Sequence, residues 1–177
     1  MTITTIDITI LEWIQHYRLE SLDGFLDLFS SATTFVSLSF ILMIGLFSRF
    51  RRSCLKKIVQ VGLTLFLAAL IGYSLKNLIQ RERPFHAYPT VEKLTLGGSP
   101  SFPSGHALEA FAVATSIALI VRRREIQISV FVWACLVGYS RMALGVHYPS
   151  DVLGGMLIGI ILALGVDFGF KKWMSPP

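Results

Sequence analysis

The chain has 177 residues, 53% hydrophobic and 15% charged, against roughly 25% charged in a soluble domain, and its mean hydropathy is +0.63. Such a composition cannot cover a soluble monomer with polar surface, and it excludes a disordered chain or a disulfide scaffold, since Cys54 and Cys135 are the only cysteines. A net charge of +5 would suit nucleic acid, but ten of the sixteen lysines and arginines sit in three short clusters at the ends of apolar runs, which points to a membrane protein and to no nucleic-acid partner.

No internal repeat or linker divides the chain, so residues 1–177 read as a single membrane-embedded domain. Residues 1–20 are not a signal peptide: the start is not basic, and Asp7, Glu12 and Glu20 interrupt the apolar residues. Ile10, Leu11, Trp13, Ile14 and Tyr17 recur at helical spacing between Glu12, Gln15, His16 and Arg18. That pattern predicts an amphipathic helix, either lying in the membrane interface or packed on a bundle.

Five apolar segments then approach the ~20 residues that a bilayer requires. Residues 25–47 carry one charge, Asp27, and residues 58–75 none. Residues 105–121 are polar only near His106 and Glu109, residues 126–145 carry Arg141 near the far end, and residues 152–170 carry Asp167. The expected fold class is therefore all-α: an integral membrane helical bundle of about five transmembrane helices plus the N-terminal interfacial helix.

The basic clusters are Arg49, Arg51, Arg52, Lys56 and Lys57, then Arg122, Arg123 and Arg124, then Lys171 and Lys172. They follow the first, third and fifth segments, all on one side, which the positive-inside rule makes the cytoplasm. The N-terminus, residues 76–104 and residues 141–151 are then expected outside. Cys54 falls in the cytoplasm and Cys135 within a span, so no disulfide is expected.

On the outer side, Lys76, Arg83 and Arg141 lie next to segment ends, where charge is costly. Singly, each would read as a side chain snorkelling to lipid headgroups. Together they would repel one another unless a multivalent anion lay between them. Arginine's planar fork fits phosphate oxygens and lysine adds a point charge. Ser104 is a good N-cap, Gly105 lets an anion approach the backbone, and a helix beginning there favours negative charge.

His106 and His147 add chemistry that phosphate binding alone does not need, since imidazole serves as nucleophile, base or acid near neutral pH. Asp151, four residues after His147, is placed to hold one ring nitrogen's proton. His106, His147, Asp151 and Glu109 also offer metal-ligating atoms, but three neighbouring cations disfavour a divalent ion, and no metal or other cofactor is expected. Glu109, one turn from His106, is a candidate to orient that histidine or to touch a headgroup. A transporter or anion channel is the competing class; against it, the spans show neither paired broken helices nor a repeat.

Lys76-(six residues)-Arg83-Pro84, Pro103-Ser104-Gly105-His106, and Ser140-Arg141-(five residues)-His147-(three residues)-Asp151 together resemble the three-part signature of the type 2 phosphatidic acid phosphatase superfamily. The resemblance spans 76–151 without a departure inside the motifs. It implies that Lys76, Arg83 and Arg141, with Ser104 and the Gly105 backbone, bind phosphate. It implies that His147 attacks phosphorus to form a phosphohistidine, that Asp151 assists, and that His106 protonates the leaving group. It implies a metal-independent membrane lipid phosphatase at the outer face of a bacterial inner membrane. Undecaprenyl diphosphate, phosphatidylglycerophosphate and lipid A 1-phosphate are the expected substrates, and a lipid-to-lipid phosphotransferase is an open variant. Many larger bacterial members have six spans; this chain shows five and the N-terminal helix.

Overall fold

The computed structural model describes residues 3–47, 52–98 and 100–174. Helix α1 (Ile3–His16) is followed by a short 3-10 turn, then α2 (Asp23–Ser31), α3 (Thr33–Phe47), α4 (Arg52–Ile79), the single turn α5 (Pro84–Ala87), α6 (Gly105–Ile120), α7 (Arg124–Ala143) and α8 (Pro149–Met174). Every predicted apolar segment is helical, and no strand occurs among the described residues. Leu55–Ala87, Arg124–Ala143 and Pro149–Lys172 are each long and apolar enough to cross a bilayer.

The first predicted span is not continuous. Glu20–Ser31 and Thr33–Met43 meet at a 47° bend. Around Ala32 the side-chain hydroxyls bond back to the helix: Ser30 to the Asp27 carbonyl, Thr33 to that of Ser30 at 2.6 Å, and Ser37 to that of Thr33. Such back-bonding tilts carbonyls off the helix axis and bends helices.

Helix α6 is the hub and packs against α3, α4, α7 and α8. It carries five alanines, and its residues from Ala107 to Ile117, Glu109 apart, are buried. Sixteen residues rise only about 24 Å, short of the ~30 Å hydrocarbon core, which a helix sheathed in protein tolerates. The α6–α8 contact is backbone to backbone. A Cβ on Gly155 would sit 2.6 Å from the Ser104 oxygen, and one on Gly159 would sit 2.5 Å from the Leu108 oxygen. This small-xxx-small pair therefore faces a helix of the same chain, as close approach of α6 and α8 requires.

Helix α1 divides its apolar residues between two faces. Asp7, Leu11, Ile14 and Gln15 are buried against the bundle, while Ile10, Trp13 and Tyr17 are exposed, the last two by 63% and 66%. The inner face packs on Val91 and Tyr148 and on Ala143 and Leu144. Gln15 donates to the Glu92 and Ala143 carbonyls and accepts from the Glu92 N–H, clamping the long loop between α5 and α6 to the end of α7. The outer face keeps aromatic rings of the kind that favour a membrane interface. The helix is thus packed on the bundle by one face, as one of the two expectations has it, and leaves an apolar and aromatic stripe exposed on the other.

Lys56 and Lys57, Arg122, Arg123 and Arg124, and Lys171 and Lys172 lie at the end of the bundle opposite the ends that meet Asp151. Arg49 and Arg51 fall outside the described residues, as do the side chains of Arg52 and Cys54. Cys135 is a free thiol on α7. At the basic end, Asp167 accepts from Gln60 at 3.0 Å and pairs with Lys171 at 2.6 Å, which accounts for a carboxylate late in an apolar helix.

Candidate active site

Four element ends meet at one end of the bundle: the end of α4 with the turn after it, the start of α6, the end of α7, and the start of α8. Proline defines two of these ends. Pro84 occupies the first position of α5, with Arg83 as its N-cap. Pro149 opens α8, and Asp151, two residues on, accepts a hydrogen bond from the Tyr148 N–H at 3.0 Å. A carboxylate in a first turn reaching back to the N-cap amide is half of a capping box. That bond fixes Asp151 beside the loop that carries His147. In that loop Gly145 takes φ +72°, and any Cβ there would meet the Glu92 carbonyl.

The predicted cations are all present at this end. Lys76 donates to the Pro100 carbonyl at 2.7 Å and Arg83 to that of Val146 at 3.0 Å. Arg83 and Arg141 are only 6% and 3% exposed. Arg141 donates from Nη1 to Ser30 Oγ at 2.8 Å, and its Nε is buried without a hydrogen-bond partner among the described residues. Lys76, Arg83 and Arg141 lie close enough for their charges to act on His106, and Arg83 and Arg141 act likewise on His147.

Ser104 differs from expectation in one respect. It is the N-cap of α6, but its hydroxyl makes no cap bond; Oγ is wholly buried and unpartnered among the described residues. The backbone does the tying instead, Ser104 N–H donating to the Asp151 carbonyl at 3.0 Å. At Gly105 the space that a Cβ would take is open. The start of α6 therefore presents a hydroxyl and a bare backbone, both suited to an anion.

His147 is 2% exposed, and its Nδ1 lies 3.5 Å from Asp151 Oδ2, an electrostatic contact longer than a formed N–H···O bond. Burial pushes this imidazole down to about 4; Asp151 opposes the shift, and the Arg83 and Arg141 charges reinforce it. At neutral pH the ring is uncharged, the state in which a nitrogen lone pair is free to attack. Asp151 is not reserved for His147, as the sequence suggests. Its Oδ1 accepts from Arg81 at 2.6 Å, and its Oδ2 accepts from the Ser101 hydroxyl as well as from Tyr148 N–H.

Sequence reasoning passes over Asp7, Ser30, Arg81 and Ser101. Asp7 carries a legible signal: it shares a helical face with Leu11 and Ile14, and a carboxylate within a buried stripe needs a partner. Ser30 carries none, because its role depends on a bend that composition does not reveal. Among the described residues, no three of His, Cys, Asp and Glu come together as a metal-ligand set. Glu109 accepts a hydrogen bond from Thr34 on α3 at 3.0 Å.

Beside the cations runs a groove of about 670 Å³ between α3, α4 and α6. Leu38, Phe66 and Tyr73 line its apolar part, and Lys76, His106 and Glu109 its polar part. One cavity thus offers an oily wall and a cationic end.

Residues 57–173 match the PAP2 superfamily. The chain belongs to that superfamily. The matched stretch of this PAP2 chain takes in α6, α7 and nearly all of α4 and α8, and leaves α1, α2 and α3 outside. Undecaprenyl-diphosphatase BcrC of Bacillus subtilis (strain 168) is 32% identical over 121 residues, covering 68% of this chain and 61% of that protein. The chain spans about half to three fifths of the length of the curated relatives it matches. Among solved structures, Aquifex aeolicus LpxE superposes with a TM-score of 0.82 at 29% identity, over 92% of this chain and 95% of that one. The transmembrane PAP2-type phosphatidylglycerolphosphate phosphatase from Bacillus subtilis also gives 0.82, at 28% identity, over 98% and 88%. The chain is a multi-pass membrane protein of the same helical architecture.

Proposed function

We propose that this chain is a lipid phosphatase that removes phosphate from a lipid phosphomonoester or diphosphate through a phosphohistidine on His147, with no metal. One observation carries the reading. Three cationic side chains gather at the start of α6 beside two histidines, where Ser104 Oγ and Arg141 Nε are buried without a partner among the described residues. A buried donor left unpaired costs about 1–3 kcal/mol, and a bound phosphate would satisfy both atoms at once.

The chemistry follows from the positions. Lys76, Arg83, Arg141, Ser104 and the Gly105 backbone hold the phosphoryl oxygens and stabilise the charge that spreads over them. An imidazole nitrogen of His147 bonds to phosphorus as the bond from phosphorus to the lipid-side oxygen breaks. His106 gives its proton to that oxygen. Asp151 steadies the positive charge that develops on His147. Water, deprotonated by His106, then attacks phosphorus, releasing inorganic phosphate and free His147.

The groove supports a lipid as the substrate, because a chain lying against Phe66 and Leu38 would bring its headgroup to Lys76 and His106. Relatives named for undecaprenyl diphosphate, lipid A and phosphatidylglycerophosphate support the same class. The basic helix ends opposite the site support five spans, with the site on the outer face of the inner membrane. The test is phosphate release by the purified full chain from a panel of lipid phosphates and diphosphates, with a chelator present. Release from at least one member supports the proposal; none from any, by folded protein, refutes it.

A further inference from the structure

We infer that Asp7, on α1 and outside the family-matched stretch, is a positioning residue for this active site, holding Asp151 against His147 through Arg81 and Ser150. The inference rests on the phosphatase reading above. It goes beyond it by making the N-terminal helix part of the machinery.

The contacts form a closed set. Arg81 Nη1 donates to Asp151 Oδ1 and to Ser150 Oγ, each at 2.6 Å, and Nη2 donates to Asp7 Oδ2 at 2.7 Å. The Ser150 hydroxyl passes its own proton on to Asp7 Oδ2 at 2.5 Å. The Ser150 N–H, in the first turn of α8, donates to Asp7 Oδ1 at 2.9 Å. Asp7 is 3% exposed, and the Arg81 guanidinium is stacked 4.0 Å from the centre of the Tyr148 ring. One carboxylate from α1 thus caps α8 beside its catalytic aspartate and neutralises the arginine bound to that aspartate.

The charge order explains why this matters for rate. From α1 inward the groups run Asp7 (negative), Arg81 (positive), Asp151 (negative), then His147, which becomes positive as it bonds to phosphorus. Arg81 and His147 compete for one carboxylate. With Asp7 present, Arg81 is shared between two anions, and Asp151 keeps negative charge to spend on the histidine. Without Asp7, the full arginine charge draws Asp151 away, and α8 loses a first-turn cap. Arg83 and Arg141, the other cations acting on His147, donate to the Val146 carbonyl and to Ser30.

The test uses the full chain purified in detergent, with dioctanoyl phosphatidic acid and farnesyl diphosphate as probes. Asp7→Asn should lower kcat roughly 10- to 100-fold, the cost of a misplacement of about 1 Å. KM should stay within about twofold, because the phosphate-binding cations are untouched. Asp7→Glu should recover part of the loss. Glu12→Gln, on the exposed side of the same helix, should leave kcat as it was. A double-mutant cycle adds a sign: Asp7→Asn combined with Arg81→Gln should lose no more than Arg81→Gln alone, since without Arg81 there is no cation for Asp7 to hold back from Asp151. That comparison serves if the single Asp7→Asn variant does not fold. Full kcat per active site in Asp7→Asn, counted by phosphoenzyme burst, or additive losses in the cycle, would overturn the role of Asp7 and leave the phosphatase reading standing. Absence of phosphate release by the wild-type chain would instead overturn that reading, and the inference with it.

Discussion

Adding one methyl group between α6 and α8 should separate packing from chemistry. In Gly155→Ala the new carbon would lie 2.6 Å from the Ser104 oxygen and 3.0 Å from the Leu108 nitrogen; in Gly159→Ala it would lie 2.5 Å from the Leu108 oxygen and 2.9 Å from the Ala112 nitrogen. These are backbone atoms that no rotamer change can move, so the helices must part by about 1 Å to reach ordinary contact. Overpacking of this kind costs about 1–3 kcal/mol. For a chain of this length that lowers Tm by roughly 2–12 °C. The two sites should differ in activity, because Gly155 presses on the residue that caps α6 beside His106, whereas Gly159 lies a turn deeper. Gly155→Ala should lose roughly 10²-fold in kcat, and Gly159→Ala less for a similar fall in Tm. Gly165 is the internal control: it lies on the same helix with nothing within 4 Å of a Cβ. Gly165→Ala should be stabilised by about 0.5–1 kcal/mol from helix propensity alone. The assay is thermal unfolding in one detergent alongside phosphate release. Wild-type Tm and kcat in both Gly155→Ala and Gly159→Ala would refute the backbone-to-backbone contact.

Three further outcomes are expected. His106→Ala should lose roughly 10²–10⁴-fold on a lipid monophosphate, whose alkoxide needs a proton, and clearly less on an aryl phosphate; equal losses in folded protein would refute a general-acid role. In a cysteine-free background, cysteines replacing the exposed Lys93 and Arg123 should react with an impermeant thiol reagent from the outside and only from the cytoplasmic side, respectively, and the reverse pattern would move the site to the cytoplasm. The His147 ring should titrate near 4 by NMR rather than at 6.5; since folding lowers its affinity for protons, its contribution to stability is complete above 6.5 and is lost as pH falls towards 4, and a midpoint at 6.5 would contradict its burial.

The helices were legible because a bilayer leaves few solutions for long apolar runs, and each run folds where its composition places it. The proposed site residues are legible because cations and histidines at apolar segment ends are expensive, and their spacing repeats a family pattern. What stayed hidden depends on contacts between distant elements. The bend at Ala32 arises from three hydroxyls bonding backwards, and only that bend brings Ser30 to Arg141. Which apolar residues of α1 turn inward is not legible, because Ile10, Trp13 and Tyr17 make a stripe as regular as that of Leu11 and Ile14 and face outward. Arg81 stands out by no pattern of its own, because its partners come from α1 and α8, 74 and 70 positions away in the chain.

In the proposed reaction His147 carries the phosphoryl group. The full chain should be mixed with lipid phosphate labelled with ³²P, quenched in base within one turnover, digested and mapped. An acid-labile, base-stable label is expected on the peptide containing His147, present in His106→Ala and absent in His147→Ala. A label on Ser104 or His106, or turnover in His147→Ala without any covalent intermediate, would contradict it.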